Sequence, residues 1–320
     1  MNAKRSARQF LSRAYYGLFR QEAWNIGIVH EPIRVFLESN ARPTVHWFPP
    51  TKREKYFGDP FAVIRKETVY IFCEEFDYRP YRGRIACFEF DSRRYPSIPK
   101  LAIELPVHMS YPYLIEHEGE TYCVPETYQA REVALYKAEQ FPLKWKKTAT
   151  LVENFAGLDP TVFQYDGYWW LVCAVEDGGP WDKLFIWYAS DLFGPWRPHQ
   201  ANPAKRDVRS SRPAGTPFVH DGSLYRPAQD CSRTYGGRIV INRILKLTPS
   251  QFEEEQAAVI EPYSDGPYPN GVHTISAVGE MTVLDGKCFR FVPSAFKPSL
   301  DKGLKEFGNW IKSRRNIVTG

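Results

Sequence analysis

Along most of this chain, apolar and polar positions alternate in a phrase that recurs four times. A proline heads a short apolar run, a small polar turn follows, and an aromatic-rich apolar run then ends on an acid. The copies are GDPFAVIRKETVYIFCEE from Gly58, SYPYLIEHEGETYCVPE from Ser110, LDPTVFQYDGYWWLVCAVE from Leu158 and GTPFVHDGSLYRPAQD from Gly215. Their prolines, Pro60, Pro112, Pro160 and Pro217, recur about every 50 residues, a repeat length of propeller blades built from β-hairpins. A weaker fifth copy begins at Gly271. Third strands follow from Gly83, Glu132, Lys183 and Gly237, and outer strands near Leu101–Leu105 and Thr148–Val152. The pattern predicts an all-β chain folded as a five-bladed β-propeller. The fifth copy is short of an outer strand, and the apolar segment from Trp24 is expected to close the ring by pairing there, which hides a sheet edge.

The ends of the chain read differently. Residues 1–23 set Lys4, Arg5, Arg8, Arg13 and Arg20 among Phe10, Leu11, Tyr15, Leu18 and Phe19, the pattern of a basic amphipathic helix without the continuous apolar core of a secretory signal. It reads either as a membrane-surface or targeting helix or as a helix docked on the rim. Residues 24–298 are expected to form the propeller. Residues 299–320 are expected to add a C-terminal helix and tail, with Leu304, Phe307, Trp310 and Ile311 at helical spacing.

Composition narrows the function classes. With 43% hydrophobic and 25% charged residues the chain has material for a core, and its net charge of +5 is scattered rather than striped, so nucleic-acid binding has no electrostatic footprint. No apolar run approaches the ~18–20 residues of a membrane span. Cys73, Cys123 and Cys173 fall at matching places in three repeats, too far apart to pair, and Cys87, Cys231 and Cys288 show no zinc spacing. All six read as buried apolar residues in a reducing, cytoplasmic setting. No metal or cofactor motif is read.

Candidate chemistry collects where acids recur near the axis. Asp59 and Asp159 each precede an anchoring proline at the mouth of an innermost strand. Two carboxylates facing each other across a narrow funnel can activate a water and protonate a leaving sugar, although an Asp-Pro also caps turns. A second ring of acids, Glu75, Glu126, Glu176 and Asp230, ends the second strands. One of these acids is expected to carry a raised pKa as a catalytic acid, the alternative being that they bind backbone amides or pair with arginines. Glu126 and Asp230 are the members of this ring expected to depart from that structural role, with Glu126, Glu176 and Asp230 all open as the acid and Glu126 set beside Asp59 and Asp159 as catalytic. Tyr111, His273, Arg212 and the RPAQD segment with Arg226, Gln229 and Asp230 are expected to line the funnel, Glu176 with them. Arg212 and Arg226 either clamp an anionic group bidentately or neutralise a rim acid.

Several phrases resemble a known family. HMSYPYLIEHEGETYCVPET from His108, GPWRPHQANP from Gly194 and SRPAGTPFVHDGSLYRPAQDCSRTYGGRI from Ser211 are similar to the N-terminal domain of plant glucosamine inositolphosphorylceramide transferases and to stand-alone bacterial relatives. The resemblance runs roughly from Trp47 to His273. The plant proteins carry a separate glycosyltransferase domain, so the likeness implies a glycosyltransferase-associated module. More distantly, the Asp-Pro repeats resemble the five-bladed propeller glycosidases of the arabinanase, xylosidase and invertase group. That likeness implies a base at Asp59, an acid-tuning residue at Asp159 and an axial histidine at His273. Those enzymes place their general acid at the head of the blade-four inner strand, where this chain has Gly215.

Two functions are therefore expected to compete. One is a carbohydrate-active enzyme, a hydrolase or transferase acting on a glycan or glycoconjugate with Asp59, Asp159 and Glu126. The other is a non-catalytic glycan-binding propeller that presents substrate to a partner glycosyltransferase. The expected ligand is a sugar or glycoconjugate, anionic if the arginines hold it.

Overall fold

The computed structural model describes residues 20–90 and 96–292 of the chain. Its strands run, in order, β1 Arg20–Val29 and β2 His46–Trp47, then β3 Lys55–Arg65, β4 Thr68–Asp77, β5 Arg82–Phe90 and β6 Lys100–Ile103. There follow β7 Ser110–His117, β8 Glu120–Glu126, β9 Glu132–Gln140 and β10 Lys144–Glu153, then β11 Gly157–Tyr165, β12 Tyr168–Val175, β13 Lys183–Ala189, β14 Arg197–Pro198 and β15 Lys205–Arg206. The last are β16 Phe218–His220, β17 Ser223–Asp230, β18 Arg238–Leu247, β19 Phe252–Ile260, β20 Ile275–Val278 and β21 Met281–Phe291.

These strands make five antiparallel sheets, each a blade: β3–β6, β7–β10, β11–β13 with β14 and β15 both on β13, β16–β19, and β20-β21-β1-β2. The fifth blade takes its outer strands from the N-terminal side of the chain, as the Trp24 segment predicts. Third strands stand where the alternation puts them.

A separate apolar cluster fills each of the five junctions between blades. Phe72, Ile85 and Met109 join blades one and two, and Val124, Leu135, Val162 and Leu171 join two and three. Trp170, Leu184 and Leu224 join three and four, Ile239, Ile241 and Leu284 join four and five, and Ile28, Val283 and Ile71 close five onto one. Cys73, Cys123 and Cys173 lie in three different clusters, so the repeat positions that match in sequence stay apart in space. All six cysteines are free thiols.

The chain divides by contacts into Trp24–Lys287 and a unit of Met1–Ala23 with Cys288–Gly320. Within the second, the Arg20 guanidinium lies 3.1 Å from the centre of the Phe289 ring. Arg20–Ala23 are strand, so an N-terminal helix does not extend to residue 23. The rest of that expected helix, and the one expected over 299–320, lie outside the described residues. Among the described residues no helix is long and apolar enough to cross a membrane.

Candidate active site at the propeller axis

The innermost strands share a defect at their heads. The ladder slips between Gly58 and Phe61, between Ser110 and Tyr113, and between Leu158 and Thr161. In each bulge the residue before the proline has positive φ: Asp59 at 53°, Tyr111 at 45° and Asp159 at 51°. Proline has no N–H for the ladder and fits a bulge, and a bulge re-aims the side chain beside it. Asp tolerates the left-handed region, whereas a tyrosine there is an outlier that its surroundings must hold. In blade four the residue before the proline is Thr216, and the positive φ falls one place earlier, at Gly215 with 121°.

Two linked carboxylate groups result, both buried. In the first, Asp59 Oδ1 accepts from Thr274 Oγ1 at 2.6 Å and lies 3.4 Å from His273 Nε2, while the Asp59 amide donates to Asp285 Oδ2 at 3.1 Å. Asp285 Oδ1 also accepts from the His273 and Thr274 amides at 2.9 and 3.1 Å. His273 Nδ1 lies 2.6 Å from Asp285 Oδ2, within ion-pair distance although the ring N–H is not aligned for a hydrogen bond. The imidazole stacks on Trp24 at 3.8 Å. Behind them the Lys287 ammonium donates to the Tyr235 carbonyl and lies 5.0 Å from the Trp24 ring centre.

In the second group, the Asp159 carboxylate accepts from Arg212 Nε, from Arg212 Nη2 at 3.3 Å and from Gln229 Nε2 at 2.7 Å. Its amide donates to Glu126 Oε2 at 2.9 Å, and Arg212 Nη2 stands 3.7 Å from the same oxygen. Tyr111 braces the floor: its hydroxyl accepts from the Gly215 amide at 2.6 Å and meets Thr161 Oγ1 at 2.9 Å.

Burial among like charges separates these acids by proton affinity. Burial, with Asp159 beside it, raises the Glu126 carboxyl well above the usual range, outweighing Arg212. Burial likewise raises Glu74, with Asp59 and Glu126 adding to it. Asp59 is pushed up only to about 6, because the His273 charge opposes its burial. Burial works against a charge on His273, yet Asp285 and Asp59 hold its proton and its pKa rises.

The structure brings together Asp59, Asp159, Glu126, Arg212, Gln229 and His273. It corrects the other candidates. Tyr111 is fully buried with its ring edge-on to Phe61, a brace beneath the site rather than a lining of the funnel. Glu176 is exposed beyond the end of β12. Arg226 lies fully buried against Glu254, Nη2 to Oε1 at 2.6 Å and Nε to Oε2 at 2.9 Å, and Asp230 binds Arg238 Nε at 2.9 Å. Period-two alternation along the regular β17 ladder sends Arg226 and Asp230 to one face and Gln229 to the other. Both candidate arginines are thus occupied by carboxylates, so neither offers a free fork to an anionic ligand. Glu75 pairs with Lys55 and Arg84.

Sequence reasoning missed Glu74 and Asp285. Glu74 faces Gly58 across the ladder as Glu126 faces Ser110, so the acid equivalent to Glu126 is one residue before Glu75. Asp285 ends the short apolar run MTVLD of the fifth copy, and the repeat's own rule of a terminal acid picks it out. One donor atom each from Asp59, His273 and Asp285 lie within 4.8 Å of one another, a nitrogen and two carboxylate oxygens suited to a divalent cation. Their separation along the chain hides the set from any spacing motif.

Fold and site together define a class: a five-bladed propeller whose axis carries buried acids at two proton affinities. Residues 49–266 match the family model described as glucosamine inositolphosphorylceramide transferase 1, N-terminal, and the chain belongs to that family. It is 34% identical over 223 residues to glucosamine inositolphosphorylceramide transferase 1 of Oryza sativa subsp. japonica, covering 67% of this chain and 29% of the relative. With the protein of that name from Arabidopsis thaliana it shares 32% over 205 residues, 62% of this chain and 27% of the relative. The chain thus spans under a third of these relatives. Among solved structures it resembles Zg3597, a family 117 glycoside hydrolase of Zobellia galactanivorans (TM-score 0.53, 14% identity, 87% of this chain and 92% of that one). It also resembles the GH43 protein BlXynB of Bacillus licheniformis (TM-score 0.51, 14% identity, 69% and 50%). These structural likenesses bear on the fold. Family and fold neighbours alike belong to carbohydrate chemistry.

Proposed function

We propose that the axial cluster is the site of a carbohydrate-active enzyme that hydrolyses or transfers a glycosyl group, with Asp59 as base and Glu126 as acid. One observation carries this reading: Asp59 loses its proton near pH 6 while the Glu126 carboxyl keeps its own well above the usual range. Two carboxyls whose surroundings drive their proton affinities apart are suited to the two halves of glycosyl transfer. The Asp59 carboxylate takes the proton of the attacking water or hydroxyl, whose oxygen forms the new bond to the anomeric carbon. The broken bond leaves its electron pair on the departing oxygen, which takes the Glu126 proton. Asp159, bonded to Arg212 and Gln229, sits against Glu126 and adds to the rise in proton affinity that burial gives it.

A second reading is a propeller that binds a glycan and presents it to a partner glycosyltransferase. It is favoured by Gly215, which stands where the resemblance to glycosidases implies an acid. Turnover of a panel of aryl glycosides, oligosaccharides and nucleotide sugars separates the two. The enzyme reading expects Asp59→Asn and Glu126→Gln each to lower turnover by about 10²- to 10⁴-fold while saccharide binding survives. Binding without turnover by the parent chain, across the panel, favours presentation instead. The proposal also takes the chain as cytoplasmic, with the basic N-terminal stretch at a membrane surface, which cell fractionation with and without residues 1–19 tests.

A further inference from the structure

From the acid cluster a series of aromatic rings runs outward over blades one and two. It begins at Tyr56, whose hydroxyl binds the Glu74 carboxyl and whose ring stacks on Phe76 at 4.9 Å and 7°. Phe76 meets Tyr78 at 4.9 Å, Tyr81 at 5.2 Å and His108 at 6.0 Å, all edge to face. His108 in turn meets Tyr128 at 6.0 Å. Tyr78 and Tyr81 lie in the β4–β5 connection and Tyr128 in the β8–β9 connection, at the end of the propeller where the inner strands begin. The rings therefore lie at the same end of the propeller as the heads of the inner strands that carry Asp59 and Asp159.

The loop that carries Tyr81 is held in an uncommon shape. Tyr81 has φ 54° and is 53% exposed. Turns put Gly or Asn in that conformation, since a bulky side chain there costs of the order of 1 kcal/mol or more. Asp77 secures the loop by accepting from the Arg79 amide and Nε, both at 2.9 Å. The loop thus holds an aromatic ring at the surface in a conformation that its hydrogen bonds maintain.

We propose that this series is a rail for the inner units of an oligosaccharide whose terminal residue enters the acid cluster, the ligand being a neutral pyranose or furanose chain. The inference rests on the axial cluster being a carbohydrate site. A sugar ring offers an apolar C–H face to an aromatic ring and hydroxyls to its surroundings. Tyrosine supplies both kinds of contact, and Gln129 lies beside Tyr128, its Nε2 3.4 Å from the Tyr128 hydroxyl. Edge-to-face packing among the rings fixes them before a ligand arrives, so little side-chain freedom is lost on binding.

Calorimetric titration of the whole chain with gluco-, manno-, xylo- and arabino-oligosaccharides of one to four units tests the rail. In the series that binds, affinity rises from one unit to three. Tyr81→Ala weakens the trisaccharide about tenfold and leaves the monosaccharide as it was, and Tyr81→Phe, which keeps the ring face and loses the hydroxyl, weakens the trisaccharide less than Tyr81→Ala does. Tyr128→Ala gives the same answer if the Tyr81→Ala chain does not fold. Affinity that does not grow with length, or a variant that weakens one and three units alike, overturns the rail while leaving the axial site standing. If no saccharide of any length binds the parent chain, the axial reading fails and the rail with it.

Discussion

Asp59 and Asp159 occupy matching places in the repeat, yet their surroundings set them opposite tasks. Asp159 is encased by Arg212, Gln229 and the Glu126 carboxyl, so its charge is part of the packing. Asp159→Asn strips a buried guanidinium of its main partner and is expected to cost about 3 kcal/mol, read as a lower midpoint in urea. Asp59 is different because its folded pKa, about 6, stands above its ordinary 3.8. The folded state therefore binds this proton more tightly. The stabilisation it contributes is complete below about pH 4 and is lost as pH rises to 6, a total of about 3 kcal/mol at 1.36 kcal/mol per pKa unit. Asp59→Asn mimics the protonated form, so it is expected to match the parent at pH 4 and exceed it in stability at pH 8. A parent chain that gains stability relative to Asp59→Asn between those values contradicts this account. The sequence made the two aspartates legible as a pair and left their roles hidden, because Arg212 and Gln229 reach Asp159 from 53 and 70 residues away.

At the scale of strands and turns, the hairpin phrase made the blades readable, along with the prolines that head the inner strands. The bulges could be suspected only from Asp-Pro and Tyr-Pro. Register was the weak point. Glu74 and Glu75 are neighbours with opposite fates, since a one-residue slip turns a side chain to the other face. Arg226, Gln229 and Asp230 were grouped by sequence proximity, and strand alternation separates them. The missing blade-four acid also has a cause at this scale. Gly215 has positive φ, its ladder neighbour is Ile275, and a Cβ there would overlap the Ile275 carbonyl. Gly215→Glu therefore does not restore a glycosidase acid. It is expected to push blades four and five apart, seen as loss of soluble folded protein or a sharply lower melting temperature. A folded Gly215→Glu chain with increased glycosidase turnover contradicts this.

On the scale of the whole molecule, the site exists only because the ring closes. Asp59 comes from blade one, Glu126 from blade two, Asp159 from blade three, Arg212 and Gln229 from the blade-four segment, and Asp285 from blade five. Trp24, on the N-terminal strand that completes blade five, backs His273. Ring closure was legible in the repeat and in the orphan strand before it, while the partners across the axis were not, since they share no local pattern. The central claim is that these converging acids form one acid–base pair, and the pH dependence of kcat/KM on the best substrate of the panel tests it most directly. The account predicts a rise through about pH 6 as Asp59 ionises and a fall at higher pH as Glu126 loses its proton, with the falling limb absent in Glu126→Gln. A profile that rises near pH 4, or one whose alkaline limb survives in Glu126→Gln, would contradict it.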